Sequence, residues 1–91
     1  MSDKKQFIER LKSAHVFPGP YTLKIIGNNG PDFLATIEKA LSHFVIHESS
    51  HRLSKTGKHI SMSIKVIAPS PESVLDAYSI LSELEIVQYV L

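Results

Sequence analysis

An α+β fold built on one four-stranded antiparallel sheet is what this 91-residue sequence predicts, and three observations carry the prediction. Ile60, Met62, Ile64 and Val66 alternate with Ser61, Ser63 and Lys65, the period-2 pattern of a strand with one buried face. Lys55-Thr56-Gly57-Lys58, just before it, reads as a turn, so the run is the second arm of a hairpin. On either side of the hairpin lies a segment with apolar residues at helical spacing, and beyond each of those lies another extended run.

Taken in order, Asp3 to Ala14 sets Phe7, Ile8, Leu11 and Ala14 on one face of a short helix that Ser2 or Asp3 can cap. His15-Val16-Phe17-Pro18-Gly19-Pro20 ends it, because two prolines and a glycine do not continue a helix. Tyr21 to Gly27 is a strand with Tyr21, Leu23 and Ile25 on one face and Thr22, Lys24 and Ile26 on the other. In the connection Gly27-Asn28-Asn29-Gly30-Pro31-Asp32 the glycines supply positive φ, Pro31 suits the first helical position and Asp32 meets the positive end of the helix dipole. Phe33, Leu34, Ile37, Leu41 and Phe44 then define a helix from Pro31 to about His43.

Phe44 to Ser54 is extended, apolar at first and polar later, which suits a sheet edge. A two-residue turn at Thr56-Gly57 opposes Leu53 to Ile60, His51 to Met62 and Glu48 to Lys65. A three-residue loop closing on Gly57 would shift every pair by one. After Ala68, Ser70 is an N-cap, Pro71 sits at N1, and Ser73 stands where a capping box calls for Glu. Val74, Ala77, Tyr78, Leu81 and Leu84 form the stripe of this helix. Ile86 to Leu91 closes the chain as a strand, apolar on both faces.

Two strand-helix-strand crossovers flanking a hairpin fold most economically as a ferredoxin-like βαββαβ sandwich, an antiparallel four-stranded sheet with both helices on one face. Residues 1–20 form the N-terminal helix and a Pro/Gly linker, and residues 21–91 the sandwich. Right-handed crossovers put the Tyr21 and Ile60 strands in the centre and the Phe44 and Ile86 strands at the edges. The bare face then carries Thr22, Lys24, Ser61, Ser63 and Lys65.

Composition narrows the chemistry. Hydrophobic content of 43%, charged content of 21% and a net charge of +1 are ordinary for a globular domain. The lack of cysteine excludes thiol catalysis, disulfides and Cys-based zinc sites. No apolar run approaches the ~18 residues of a membrane span, and the polar start has no signal core, so the expected compartment is the cytoplasm. His43, His47 and His51 would line one helical face. On a strand, however, His47 and His51 lie about 13 Å apart at about 3.3 Å per residue, so no metal is expected. Ser49, Ser50 and Ser54 near His51 lack a third, orienting group, and no Walker loop is present. The sequence therefore predicts neither an enzyme nor a cofactor.

Two surfaces remain as candidate sites. Gly27, Asn28, Asn29, Gly30 and Asp32 form a turn into a helix N-terminus, where free backbone N–H groups hold carboxylates and other anions. Lys24, Arg52, Lys55, Lys58, Ser61, Ser63 and Lys65 form a weakly basic surface able to meet a partner or phosphates. RNA-recognition modules stack bases on aromatics of their two central strands, and this sequence has none at those places. The last strand, as an edge, calls for cover by a second copy in a homodimer, or by Phe7, Ile8 and Leu11 of the leading helix.

The stretches Phe17-Pro18, Tyr21-Thr22-Leu23-Lys24-Ile25-Ile26-Gly27, Ser54-Lys55-Thr56-Gly57-Lys58-His59-Ile60-Ser61 and Ile86-Val87-Gln88-Tyr89-Val90-Leu91 span almost the whole chain. In this order they resemble the YbeD-like family of small bacterial proteins. The resemblance implies a ferredoxin-like domain similar to the ACT domains that bind amino acids and regulate metabolic enzymes, with no catalytic activity attached. It also makes the Gly27 to Asp32 loop similar to the one where ACT domains hold amino acids. This sequence departs from the family pattern at His59, where an aromatic usually stands, and at Thr56 between Lys55 and Gly57. The expectation is a non-catalytic ACT-like regulatory or binding domain acting through a small metabolite or a protein partner in bacterial metabolism. RNA binding through the basic open face is the alternative.

Overall fold

The structure, a computed structural model, describes residues 2–91, with side chains from residue 3 onward. The cap expected from Ser2 lies outside the described side chains. The elements are α1 (Ser2–Ala14), β1 (Gly19–Asn28), α2 (Phe33–Ala40), β2 (Val45–Leu53), β3 (His59–Ala68), α3 (Pro71–Ser82) and β4 (Val87–Val90). The four strands form one open antiparallel sheet in the order β2-β3-β1-β4, with β1 and β3 in the centre. The fold is therefore α+β, with three helices among the described residues. Among the described residues no helix is long and apolar enough to cross a membrane.

The alternation in β3 is realised in full: Ile60, Met62, Ile64, Val66 and Ala68 are buried and the residues between them are not. The β1–β3 register sets Leu23 opposite Ile64 and Ile25 opposite Met62. Opposed residues of an antiparallel pair share a face, so these side chains form one apolar layer. Phe33 and Ile37 of α2, Leu41 beyond it, and Ala77 and Leu81 of α3 pack into the same cluster, which places both helices on that face. At the start of α3 the Ser73 backbone N–H donates to the Ser70 hydroxyl and the Ser70 N–H to the Ser73 hydroxyl, both at 3.3 Å. A serine thus closes the capping box in place of the usual Glu.

Three expectations are corrected. First, α2 is shorter than Pro31 to His43. Asp32 is its N-cap without a side-chain capping bond, and beyond Ala40 the chain tightens into i to i−3 bonds, Ser42 N–H to the Lys39 carbonyl (3.2 Å) and Phe44 N–H to the Leu41 carbonyl (2.9 Å). Second, β1 begins at Gly19, because Gly19 and Pro20 pair with Ala68 and Ile67. β4 reaches only Ile25 to Gly27 in its ladder with β1, so a proline at the start of β1 removes no bond on that side. Third, the leading helix seats on α3 rather than over the last strand. Leu11 is buried against Ala68 and Val74, and the Phe7 and Tyr78 rings meet edge-on at 5.8 Å.

Candidate binding surface

The ladder registers lay out the open face in rows. One row runs Glu48, Lys65, Thr22, the next Ser50, Ser63, Lys24, and a third Arg52, Ser61, Ile26, Tyr89. Two shallow depressions follow these rows. One of about 240 Å³ is lined by Thr22, Glu48, Ser49, Ser50, Ser63 and Lys65. The other, about 290 Å³, is lined by Lys24, Ser50, His51, Arg52, Ser61 and Ser63. Ser50 and Ser63 line both, so the two lie side by side and together form a hydroxyl-rich trough on the open face. Small side chains make it: serines on both β2 and β3 leave space between longer neighbours.

Five of the residues singled out in the sequence, Lys24, Arg52, Ser61, Ser63 and Lys65, come together here. Lys65 Nζ lies 3.3 Å from Glu48 Oε1, an ion pair across the β2–β3 ladder. That carboxylate offsets Lys65, so the positive charge of the trough rests on Lys24 and Arg52. Lys55 and Lys58 stand apart at the hairpin tip. There the Gly57 N–H donates to the Ser54 carbonyl at 3.0 Å and the Ser54 N–H to the His59 carbonyl at 3.0 Å. Gly57 has φ +75, the left-handed region that glycine adopts without strain.

The turn keeps the register expected from Thr56-Gly57: Leu53 opposes Ile60, His51 opposes Met62 and Glu48 opposes Lys65. Between Ile46 and Glu48 a bulge at His47 shifts the ladder by one. The simple alternation of β2 is thereby interrupted between Ile46 and Glu48. His43 lies in the turn after α2, and no group of three or more metal-ligating residues gathers among the described residues.

The Gly27 to Asp32 loop is tied into the fold. The Asn28 N–H donates to the Ile86 carbonyl at 2.9 Å, and the Asn29 N–H to the Lys58 carbonyl at 3.0 Å. Asn29 Nδ2 also donates to the Gly57 carbonyl at 2.9 Å, and Gln88 Nε2 donates to Asn28 Oδ1 at 2.9 Å. Two backbone N–H groups of the loop are thus engaged within the fold, and the loop joins the hairpin tip to β4. The glycines also differ from expectation, since neither Gly27 nor Gly30 has positive φ. Gly27 is required by close approach: a Cβ there would run into the Ile86 carbonyl oxygen and the Phe33 ring. Gly30 faces open space.

Sequence reasoning missed Tyr89, 53% exposed and on the open face beside Ile26. Its side follows only from the β1–β4 register, which a bulge at Ile26/Gly27 hides from pattern reading. On the helix side, the Tyr21 and Tyr78 hydroxyls are 3.1 Å apart. Burial first, then the hydrogen bond and the charge of Tyr21, push the Tyr78 phenol well above its ordinary range.

A family model described as a protein of unknown function, DUF493, matches residues 12–91. No curated protein matches the chain.

Proposed function

The chain belongs to the DUF493 family, the one its sequence resembles as YbeD-like, and from that premise we propose a non-catalytic regulatory domain that holds a protein partner on its open sheet face. The domain is ACT-like and ferredoxin-like in this reading. The strand order β2-β3-β1-β4, with α2 and α3 crossing over one face, supports the fold assignment. The observation that carries the function is the trough joined at Ser50 and Ser63, with Lys24 and Arg52 as its cations. Such a trough suits an extended acidic segment. Serine hydroxyls, the Lys24 ammonium and the Arg52 guanidinium donate, and a chain of carboxylates accepts. A small metabolite held by the Gly27 to Asp32 loop has less support, because the Asn28 and Asn29 N–H groups are engaged within the fold.

Affinity capture from a cell lysate tests this reading when run with the wild type and with Lys24→Glu combined with Ser63→Glu, which puts acid in both depressions and leaves β2 untouched. The expected result is a partner retained by the wild type, lost with the variant and indifferent to nuclease. Equal capture by the two proteins overturns the surface. RNA is the second reading, favoured by Tyr89 as a stacking platform on the same face. Capture abolished by ribonuclease and weakened by Tyr89→Ala decides for it.

A further inference from the structure

The two edges of the sheet differ. β4 is four residues long and joins β1 through a bulge, so it offers little unpaired backbone. β2 is nine residues long and every residue of it is exposed; past its bulge at His47 the run from Glu48 to Leu53 is regular, and among the described residues no strand lies on its outer side. Val45 and Leu53, at its two ends, are 67% and 50% exposed. A long edge of this kind is a template for another strand unless its charges repel one.

The charges on β2 attract a copy of themselves. Glu48, Ser50 and Arg52 occupy successive positions on the open face, opposite Lys65, Ser63 and Ser61. We infer that the protein forms a symmetric dimer in which β2 pairs antiparallel with β2 of a second copy about a two-fold axis at Ser50. A two-fold contact is isologous, so each contact occurs twice. Centring on Ser50 sets Glu48 of one protomer opposite Arg52 of its partner and Arg52 opposite Glu48. Each carboxylate then lies between Lys65 of its own chain and the arginine of the other, which lengthens the 3.3 Å pair into a row crossing the seam. Moving the axis one residue either way loses both charge pairs. With the axis at Ser49, Arg52 meets Ile46, and with the axis at His51, Glu48 meets Ser54. The sheet becomes eight strands wide, its two open faces join, and the two troughs meet at the axis. This pairing moves the homodimer expected at the last strand to the opposite edge; it does not rest on the function proposed above, and in the dimer Lys24 is the cation of the trough that stays unpaired while Arg52 serves the seam.

The test is the oligomeric state by analytical ultracentrifugation, with circular dichroism to confirm folding. The wild type is expected to be a dimer. Arg52→Glu alone and Glu48→Arg alone are each expected to be monomeric, because each sets like charges across the axis, whereas an equimolar mixture of the two forms a heterodimer. A second measurement needs no charge reversal. The chain has no cysteine, so Ser50→Cys introduces a single thiol. Directly opposed Cβ atoms lie about 4.5–5.5 Å apart, close enough for a disulfide with a small adjustment. Mild oxidation is expected to link Ser50→Cys into dimers far faster than Gln88→Cys on β4. A wild type that stays monomeric, a dimer that both reversals leave intact, or equal linking at the two positions overturns the pairing.

Discussion

β2 and β3 are the two arms of one hairpin and share a ladder along most of their length, yet β3 buries every second side chain and β2 buries none. Ile64 is 0% exposed while Leu53, an equally apolar residue on the same side of the sheet, is 50% exposed. Backbone pairing is common to both, so pairing does not make the difference. The helix layer does: the buried residues of α2 and α3 cluster with β1 and β3, and no residue of β2 enters that cluster. The stability of this sheet thus resides in the strands beneath the helices, and its outer strand is left as surface.

The largest expected effect sharpens that contrast. Ile64→Ala removes a buried side chain and should cost about 2–5 kcal/mol in denaturant unfolding, whereas Leu53→Ala in a monomer should stay within about 0.5 kcal/mol. Comparable losses at the two positions would show that β2 is covered in solution. Gly27→Ala is next. Forcing a Cβ between the Ile86 carbonyl and the Phe33 ring should cost about 1–3 kcal/mol, against almost nothing for Gly30→Ala, measured by thermal unfolding.

The third concerns pH. The Tyr78 phenol titrates higher in the folded chain than its ordinary 10.0, so its contribution is complete below about pH 10 and is lost as pH rises beyond that value. Tyr78→Phe should cost about 1 kcal/mol near neutrality through the lost Tyr21 hydrogen bond and should flatten the alkaline limb of the stability curve. Unchanged alkaline sensitivity in the variant would place its source elsewhere. Smallest is Lys65→Met on the open face. Breaking the pair with Glu48 should change stability by less than about 1 kcal/mol, and the difference should shrink in high salt, since both side chains are solvated.

Much of the fold is legible in local pattern. The alternation from Ile60 to Val66 is a burial pattern because the strand is central, and the Leu53–Ile60, His51–Met62 and Glu48–Lys65 oppositions follow from a turn centred on Thr56 and Gly57. Ser70 and Pro71 mark the start of α3 because capping is a matter of three or four consecutive residues. The basic surface was legible in part for the same reason, since strand parity alone puts Lys24, Ser61, Ser63 and Lys65 on one face. Arg52 joins them only through the hairpin register.

The sequence by itself determined the kind and order of the elements, the α3 cap and the face on which each central-strand residue lies, because these depend on residues within a turn or a strand of one another. Tertiary structure alone decided that the Gly27 to Asp32 loop ties the hairpin tip to the last strand, since the acceptors of Asn28 and Asn29 come from Ile86 and Lys58, distant in the chain. It also decided that α1 rests on α3, that His47 bulges, and that β2 lies beyond the helix layer. Those outcomes depend on how far two helices reach across a sheet and on which carbonyls two distant turns present to each other, quantities that no local spacing encodes.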